Sequence, residues 1–205
     1  MKNAEIYVTQ PRGLGSQLQL ISMPWWLKLA YGVFLLYLMA QITIPLPWTP
    51  VPITGQSLGV FCVALTMGSL ATPIVAIYWL LGLCGLPVLA GASAGVLWGA
   101  KSGYLLGMVV SAEVISRLKS RGFAKTWWGT LAVLGVGEII IFALGNWVLS
   151  YFVPRGNLLM AGFWPFLPGD TLKAVIAATI SRHFERYVPS GSGALPHEGR
   201  DGARN

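Results

Sequence analysis

The chain has 205 residues, of which 14 are Lys or Arg and 7 are Asp or Glu, so charged residues make up 10%, against about 25% in a typical soluble domain. Hydrophobic residues account for 55%, and the mean hydropathy is +0.64. Such a composition leaves too little charge to cover a water-facing surface. It excludes a cytoplasmic enzyme, a disulfide-stapled secreted domain and a disordered protein, and makes lipid the expected solvent.

Positions 29–100 form 72 consecutive uncharged residues. As one helix they would run about 108 Å at ~1.5 Å per residue, whereas a hydrocarbon core is about 30 Å thick. The stretch must fold back at least twice, and proline and glycine mark where. Residues 1–24 are polar and mixed and read as an interfacial or cytoplasmic segment without a signal peptide. Trp25, Trp26 and Lys28 form an interfacial anchor. Helix 1 is expected over 27–44, ending at Pro45. The four prolines of 45–54 (PLPWTPVPIT) forbid helix and predict an extended loop. Helix 2 is expected over 55–70 and helix 3 over 73–86, ending at Gly85-Leu86-Pro87.

Residues 88–103 hold Gly91, Gly95, Gly99 and Gly103 at a spacing of four. They read either as a small-residue helix-packing face or as a compact loop lining a cavity. Helix 4 is expected over 103–117, followed by a basic loop with Arg117, Lys119, Arg121 and Lys125. Helix 5 follows over 127–150 and helix 6 over 169–188. Between them, 151–168 is apolar but broken by Pro and Gly, and 189–205 reads as a disordered polar tail. The fold class expected is thus all-α, an integral membrane protein with a six-helix membrane domain over 25–188. Six spans put both termini on one side. With that side inside, 11 of the 14 basic residues fall on it, as positive-inside loops do. The same bias explains the net charge of +7 without nucleic acid, for which no basic helix interleaved with aromatics is present.

Ionisable groups inside a span are costly by a few kcal/mol each, so four need a reason. Asp170 and Lys173 share one helix face and follow Pro168-Gly169, a helix start. They read either as an N-cap with a local ion pair or as the polar end of a buried cavity. Asp170 lies 12 residues before Arg182, about 18 Å along the axis, which favours the outer half of a bilayer. Lys101 either snorkels to water or holds an anionic group. Glu113 is placed for an i,i+4 pair with Arg117. Glu138, mid-helix, reads as a hydrogen-bonded interhelical contact, a partner-docking group or part of the site. Gln56 either caps helix 2 or bonds a ligand. Trp48, Trp98, Tyr104, Phe163 and Trp164 form an outer aromatic belt or clamp an apolar ligand body. Cys62 and Cys84 read as small buried hydrophobes, and no metal ligand set or cofactor motif accompanies them. No Walker A sequence, HExxH or GxSxG occurs, so the chain carries no ATPase of its own and no catalytic residues are assigned.

Three segments carry a family resemblance: TPVPITGQSLGV (49–60), GLPVLAGASAGVLWGAKSGYLLG (85–107) and FWPFLPGDTLKAVIAA (163–178). In this order they resemble BioY, the membrane-embedded biotin-binding S component of energy-coupling-factor (ECF) transporters. The resemblance covers about residues 29–188. It implies biotin as substrate, a vitamin pocket near the outer face, and a lid over it that includes Pro50, Val51, Pro52, Ile53 and Thr54. It also implies ECF transmembrane scaffold and ATPase subunits as partners. Asp170 and Lys173 match the family's PGDxxK pair, Gln56 its glutamine after PVPIT, and Tyr104 the aromatic of its GGYL. Gly99-Ala100-Lys101 departs from the family's GPT, so the resemblance leaves open whether Lys101 supplies the contact for the biotin carboxylate. The family's coupling partners dock on small residues of helix 1, often alanines four apart; Ala30, Gly32 and Ala40 do not give that spacing. The alternatives are solitary facilitative biotin transport, an S component for another vitamin, or a structural membrane protein without a substrate.

Overall fold

The computed structural model describes residues 24–94 and 98–187. The expected segment 1–24 apart from Pro24, the tail 189–205 and Gly95 of the glycine series lie outside the described residues. Six long helices are present among those described: α1 (Trp25–Gln41), α2 (Gln56–Thr66), α3 (Ala71–Leu83), α4 (Ser102–Ser120), α5 (Trp127–Leu149) and α6 (Leu167–Tyr187). A short helical segment, Leu158–Gly162, lies between α5 and α6. By length and composition one of them, α5, is apolar enough to cross a membrane, with a mean hydropathy of 1.9 over its most apolar window. Two shorter apolar helices cover Gln56–Thr66 and Gly68–Leu83.

Helix ends depart from expectation in ways that proline and pairing explain. α1 stops at Gln41, because Thr43 and Ile44 (β1) pair antiparallel with Ile53 and Thr54 (β2), Thr43 opposite Thr54 and Ile44 opposite Ile53. The proline-rich loop is therefore closed at its base by a two-residue ladder rather than extended throughout. α3 starts at Ala71, two residues before Pro73, and α6 starts at Leu167, with Pro168 in its first turn. Proline costs nothing there, since the first turn's N–H groups have no intrahelical acceptor. α4 runs on to Ser120, so Arg117 and Lys119 belong to its last turn and not to a loop. Cations at that end also complement the helix dipole.

The core is built by Leu36 and Ala40 of α1, Phe61, Val63 and Ala64 of α2, Ile74 and Tyr78 of α3, Ala112 and Ile115 of α4, Leu134 and Leu149 of α5, and Ala177 and Ala178 of α6. α4 and α5 make the most extensive helix pair. Glycine permits it: a Cβ on Gly107 would stand 2.8 Å from the Ile141 Cα. Of the two readings of 88–103, a loop is found over the described part, with a left-handed Gly91 (φ 66°) and a bridge from Leu89 to Ser93. Cys62 is half-buried but Cys84, at the end of α3, is exposed; the helix has ended before it can turn inward.

One end of the bundle is tied together by polar contacts. Glu113 pairs with Arg117 and accepts from Thr72 Oγ1. Lys119 Nζ reaches Glu185 at 2.8 Å and the Leu65 carbonyl at 2.5 Å. Arg182 bonds Glu185 and the Lys125 carbonyl. Lys101 and Arg155 lie in connections at the other end of the helices.

Candidate functional site

Between that second end and the bundle centre lies a cavity of about 340 Å³, lined from every long helix but α1 and α3. Its size falls at the lower end of the range for small-molecule sites, about 300–1,000 Å³. The wall is mainly apolar: Val51, Leu89, Leu105, Met108, Ile141, Phe142 and Phe166. Asp170, Lys173, Lys101, Gln56 and Tyr104 all line it, so the five expected substrate contacts are brought to one place.

Asp170 is 7% exposed and sits one turn into α6, where its N–H bonds the Phe166 carbonyl. It is not an N-cap. Its Oδ1 accepts from Lys173 Nζ at 2.6 Å and from Ser57 Oγ of α2 at 3.1 Å, and Lys173 Nζ also donates to Ser57 Oγ at 3.1 Å. The ion pair is thus local, as one reading held, and also opens on a cavity, as the other held. The Asp170 carboxyl also lies within side-chain hydrogen-bond reach of Glu138 on α5. Both side chains are mostly withdrawn from solvent, where a charge pair survives only with its remaining hydrogen bonds met.

Gln56 starts α2, with no side-chain cap on that helix. Its amide donates to the Tyr78 hydroxyl at 2.6 Å, and its Oε1 accepts from Thr54 Oγ1 at 3.2 Å. Tyr78 in turn donates to the Val88 carbonyl at 3.1 Å. Gln56 therefore buttresses the cavity wall, linking the proline loop to the 88–94 loop. Tyr104 donates to the Gly162 carbonyl at 2.8 Å, which also accepts from Asn146. Its hydroxyl is committed, and its ring is what faces the cavity. Lys101 stands at the N-terminal boundary of α4 and, among the described residues, its side chain makes no ion pair or hydrogen bond.

Of the expected lid, Pro50, Val51, Pro52 and Thr54 line the cavity. Ile53 does not; it lies in β2 opposite Ile44, and alternate strand residues face opposite ways. Trp48, Trp98 and Trp164 are more than half exposed, as belt residues are. Phe163 instead packs edge-on against Phe142 at a 5.0 Å centroid distance.

Two contributors, Ser57 and Thr49, escaped the sequence reading, and a third, Glu138, was left open by it. Ser57 bridges α2 to the Asp170–Lys173 pair. Thr49 Oγ1 donates to the Ala161 carbonyl at 2.6 Å, tying the proline loop to the short helix. Glu138, which the sequence left open as an interhelical contact or part of the site, lines the cavity, and its carboxyl lies within side-chain hydrogen-bond reach of Asp170 on α6, while no other donor among the described residues reaches its oxygens. Ser57 and Thr49 both lie inside the quoted segment TPVPITGQSLGV (49–60), and Glu138 stands out as an acid within an apolar helix.

A family model described as the BioY family matches residues 16–190. The chain is 37% identical to the biotin transporter BioY of Thermotoga maritima over 159 residues, covering 76% of this chain and 93% of the relative. It is 32% identical to the biotin transporter BioY of Rhodobacter capsulatus over 186 residues, covering 78% and 95%. Its fold matches a solved S-component for biotin from an ECF-type ABC transporter with a TM-score of 0.70 and 27% identity, covering 78% of this chain and 90% of that one. Motif order, helix order and the extent of the family match agree, and the chain belongs to the BioY family.

Proposed function

We propose that this chain is the biotin-capturing subunit of a vitamin uptake system. The relatives named above are biotin transporters, and the matching structure is the biotin S-component of an ECF-type ABC transporter. The observation that carries the reading to this chain is the cavity itself. It is apolar-walled, with the Asp170–Ser57–Lys173 cluster and an unpaired Lys101 opening on it. Biotin has matching parts. Its ureido ring offers two N–H donors and a carbonyl; its bicycle and valeryl chain are apolar; its carboxylate is an anion. Asp170 Oδ2 takes an N–H, Lys173 donates to the ureido carbonyl, Lys101 holds the carboxylate, and Tyr104 and the apolar wall pack the body. A ligand lacking the ureido leaves buried polar groups unpaired, which is the source of selectivity.

We further place the chain across a bacterial plasma membrane as six spans with both termini cytoplasmic. Large apolar side chains face outward around the bundle, among them Phe34 at 56%, Leu80 at 54%, Ile139 at 69% and Leu172 at 60% exposed. Such a surface needs lipid. α4 keeps Glu113, Arg117 and Lys119 in its last two turns, and α6 keeps Arg182 and Glu185 near its end while turning Asp170 and Lys173 inward. The end tied by Lys119, Lys125 and Arg182 is then the inner face. Biotin enters from outside beneath the proline-rich lid, and an ECF scaffold with ATPase subunits drives inward release. The chain acts as a transporter subunit and not as an enzyme.

The test is the thermal stability of the purified protein against a panel of vitamins. A rise with biotin and not with thiamin or riboflavin supports the reading, since a ligand bound only by the native state stabilises it by mass action. No rise with biotin defeats it.

A further inference from the structure

Glu138 is the ionisable side chain that the site described so far leaves unexplained. It lies 11 residues from either end of α5, roughly 17 Å along the axis, too far for its side chain to reach either end of the helix. Both of its oxygens are buried and unpartnered. Its carboxyl lies within side-chain hydrogen-bond reach of the Asp170 carboxyl of α6, with Lys173 beyond it, and Lys173 already gives hydrogen bonds to Asp170 and Ser57. A buried carboxyl without a donor is costly, and this one borders the cavity. One proton shared between Glu138 and Asp170 satisfies their contact and leaves acceptor lone pairs on both carboxyls, side by side on the cavity wall, for donors carried in by a ligand.

The geometry points to Glu138 as a substrate-contacting, specificity-determining residue that accepts one of the two N–H groups of a cyclic urea, with Asp170 Oδ2 accepting the other. A carboxyl keeps an acceptor oxygen in either protonation state. The arrangement selects for ligands presenting two N–H donors side by side, and rejects those with one.

This inference rests on biotin being the ligand, and the experiment separates the two. Biotin and its two mono-N-methylated ureido analogues are titrated into detergent-purified wild type and Glu138→Leu, with the ligand-free melting point as a folding control. Wild type is expected to bind biotin, and Glu138→Leu to bind it about three- to tenfold more weakly, the loss of one buried hydrogen bond. One of the two methylated analogues, having already lost the N–H that meets Glu138, binds both proteins alike. If Glu138→Leu does not fold, Glu138→Gln enters the same cycle with the same expected pattern and a smaller factor. Equal biotin affinity in wild type and variant overturns the inference while leaving the biotin reading intact. An equal loss for biotin and for both analogues also overturns it, because Glu138 then acts through the fold and not by contact. Failure of wild type to bind biotin defeats the underlying reading.

Discussion

The Thr49 hydroxyl donates a 2.6 Å hydrogen bond to the carbonyl of Ala161, 112 residues further along the chain. Thr49 is 9% exposed and also accepts from the Val51 N–H at 3.2 Å. One side chain therefore fixes the proline loop to the short helix whose Gly162 carbonyl is held by Tyr104 and Asn146. Proline-rich loop, short helix and cavity wall form one connected unit. Thr49→Val keeps the shape and removes the hydroxyl. It is expected to speed biotin release by about five- to thirtyfold, the cost of about 1–2 kcal/mol for one buried bond and a stranded carbonyl, with the association rate little changed. Stopped-flow tryptophan fluorescence reads both rates; an unchanged release rate would show that the lid does not depend on this tether.

Asp170 and Lys173 are expected to behave as a unit. Removing one partner of a buried pair strands the other charge, at about 3–5 kcal/mol. Lys173→Met should therefore lower the ligand-free melting point more than the double variant Asp170→Asn with Lys173→Met does, while these two and the single variant Asp170→Asn all abolish measurable biotin binding. Ser57→Ala, which takes a neutral hydroxyl from the same cluster, should cost about 1 kcal/mol. Additive melting-point losses across the cycle would mean that the pair is energetically independent.

Lys101 is assigned the carboxylate, and a neutral ligand tests that without disturbing the rest of the site. Wild type should prefer biotin over its primary amide by roughly tenfold or more, the worth of a charge-assisted hydrogen bond. Lys101→Gln should bind the two alike, with affinity for the amide unchanged. Calorimetry on both ligands and both proteins decides it. A preference that survives the substitution would move the carboxylate to another group.

How far the sequence foretold this site depends on how local each signal is. Asp170 and Lys173 were legible because charge is scarce: on a chain with 7 acidic residues, an acid and an amine three apart within an apolar helix stand out. The helix breaks were legible wherever proline or glycine forced them. The β1–β2 ladder was not, since Thr43-Ile44 looks like the continuing apolar end of α1 until Ile53-Thr54 folds back on it. Ser57, Thr49 and Glu138 were missed or left open for a related reason. Their roles are defined by residues about 30 or more and up to 116 positions away, and such contacts leave no periodicity in the chain. Gln56 shows the opposite failure. Its motif position marked it for the ligand, yet its amide is already bonded to Tyr78 and Thr54, and only tertiary structure shows that.

The closeness of α4 and α5 offers a last test, with an internal control on one helix. A Cβ on Gly145 would run into the Tyr104 ring, and that ring cannot swing aside while its hydroxyl holds the Gly162 carbonyl. A Cβ on Gly135 meets nothing within 4 Å. Both changes to alanine gain similar helix propensity, up to about 1 kcal/mol, so the difference between them isolates the steric term. Gly145→Ala is expected to lose about 1–3 kcal/mol net, as overpacking does, and to weaken biotin because Tyr104 and Phe166 share the displaced wall. Gly135→Ala should leave binding untouched and match or exceed wild-type stability. Adding Tyr104→Leu to Gly145→Ala should recover part of the lost stability by clearing the contact, yet not the affinity, since the ring that packs the ligand is gone. Melting curves with and without biotin on the four proteins separate these terms. Equal behaviour of the two glycine variants would mean that α4 and α5 stand further apart than the Tyr104–Gly145 contact requires.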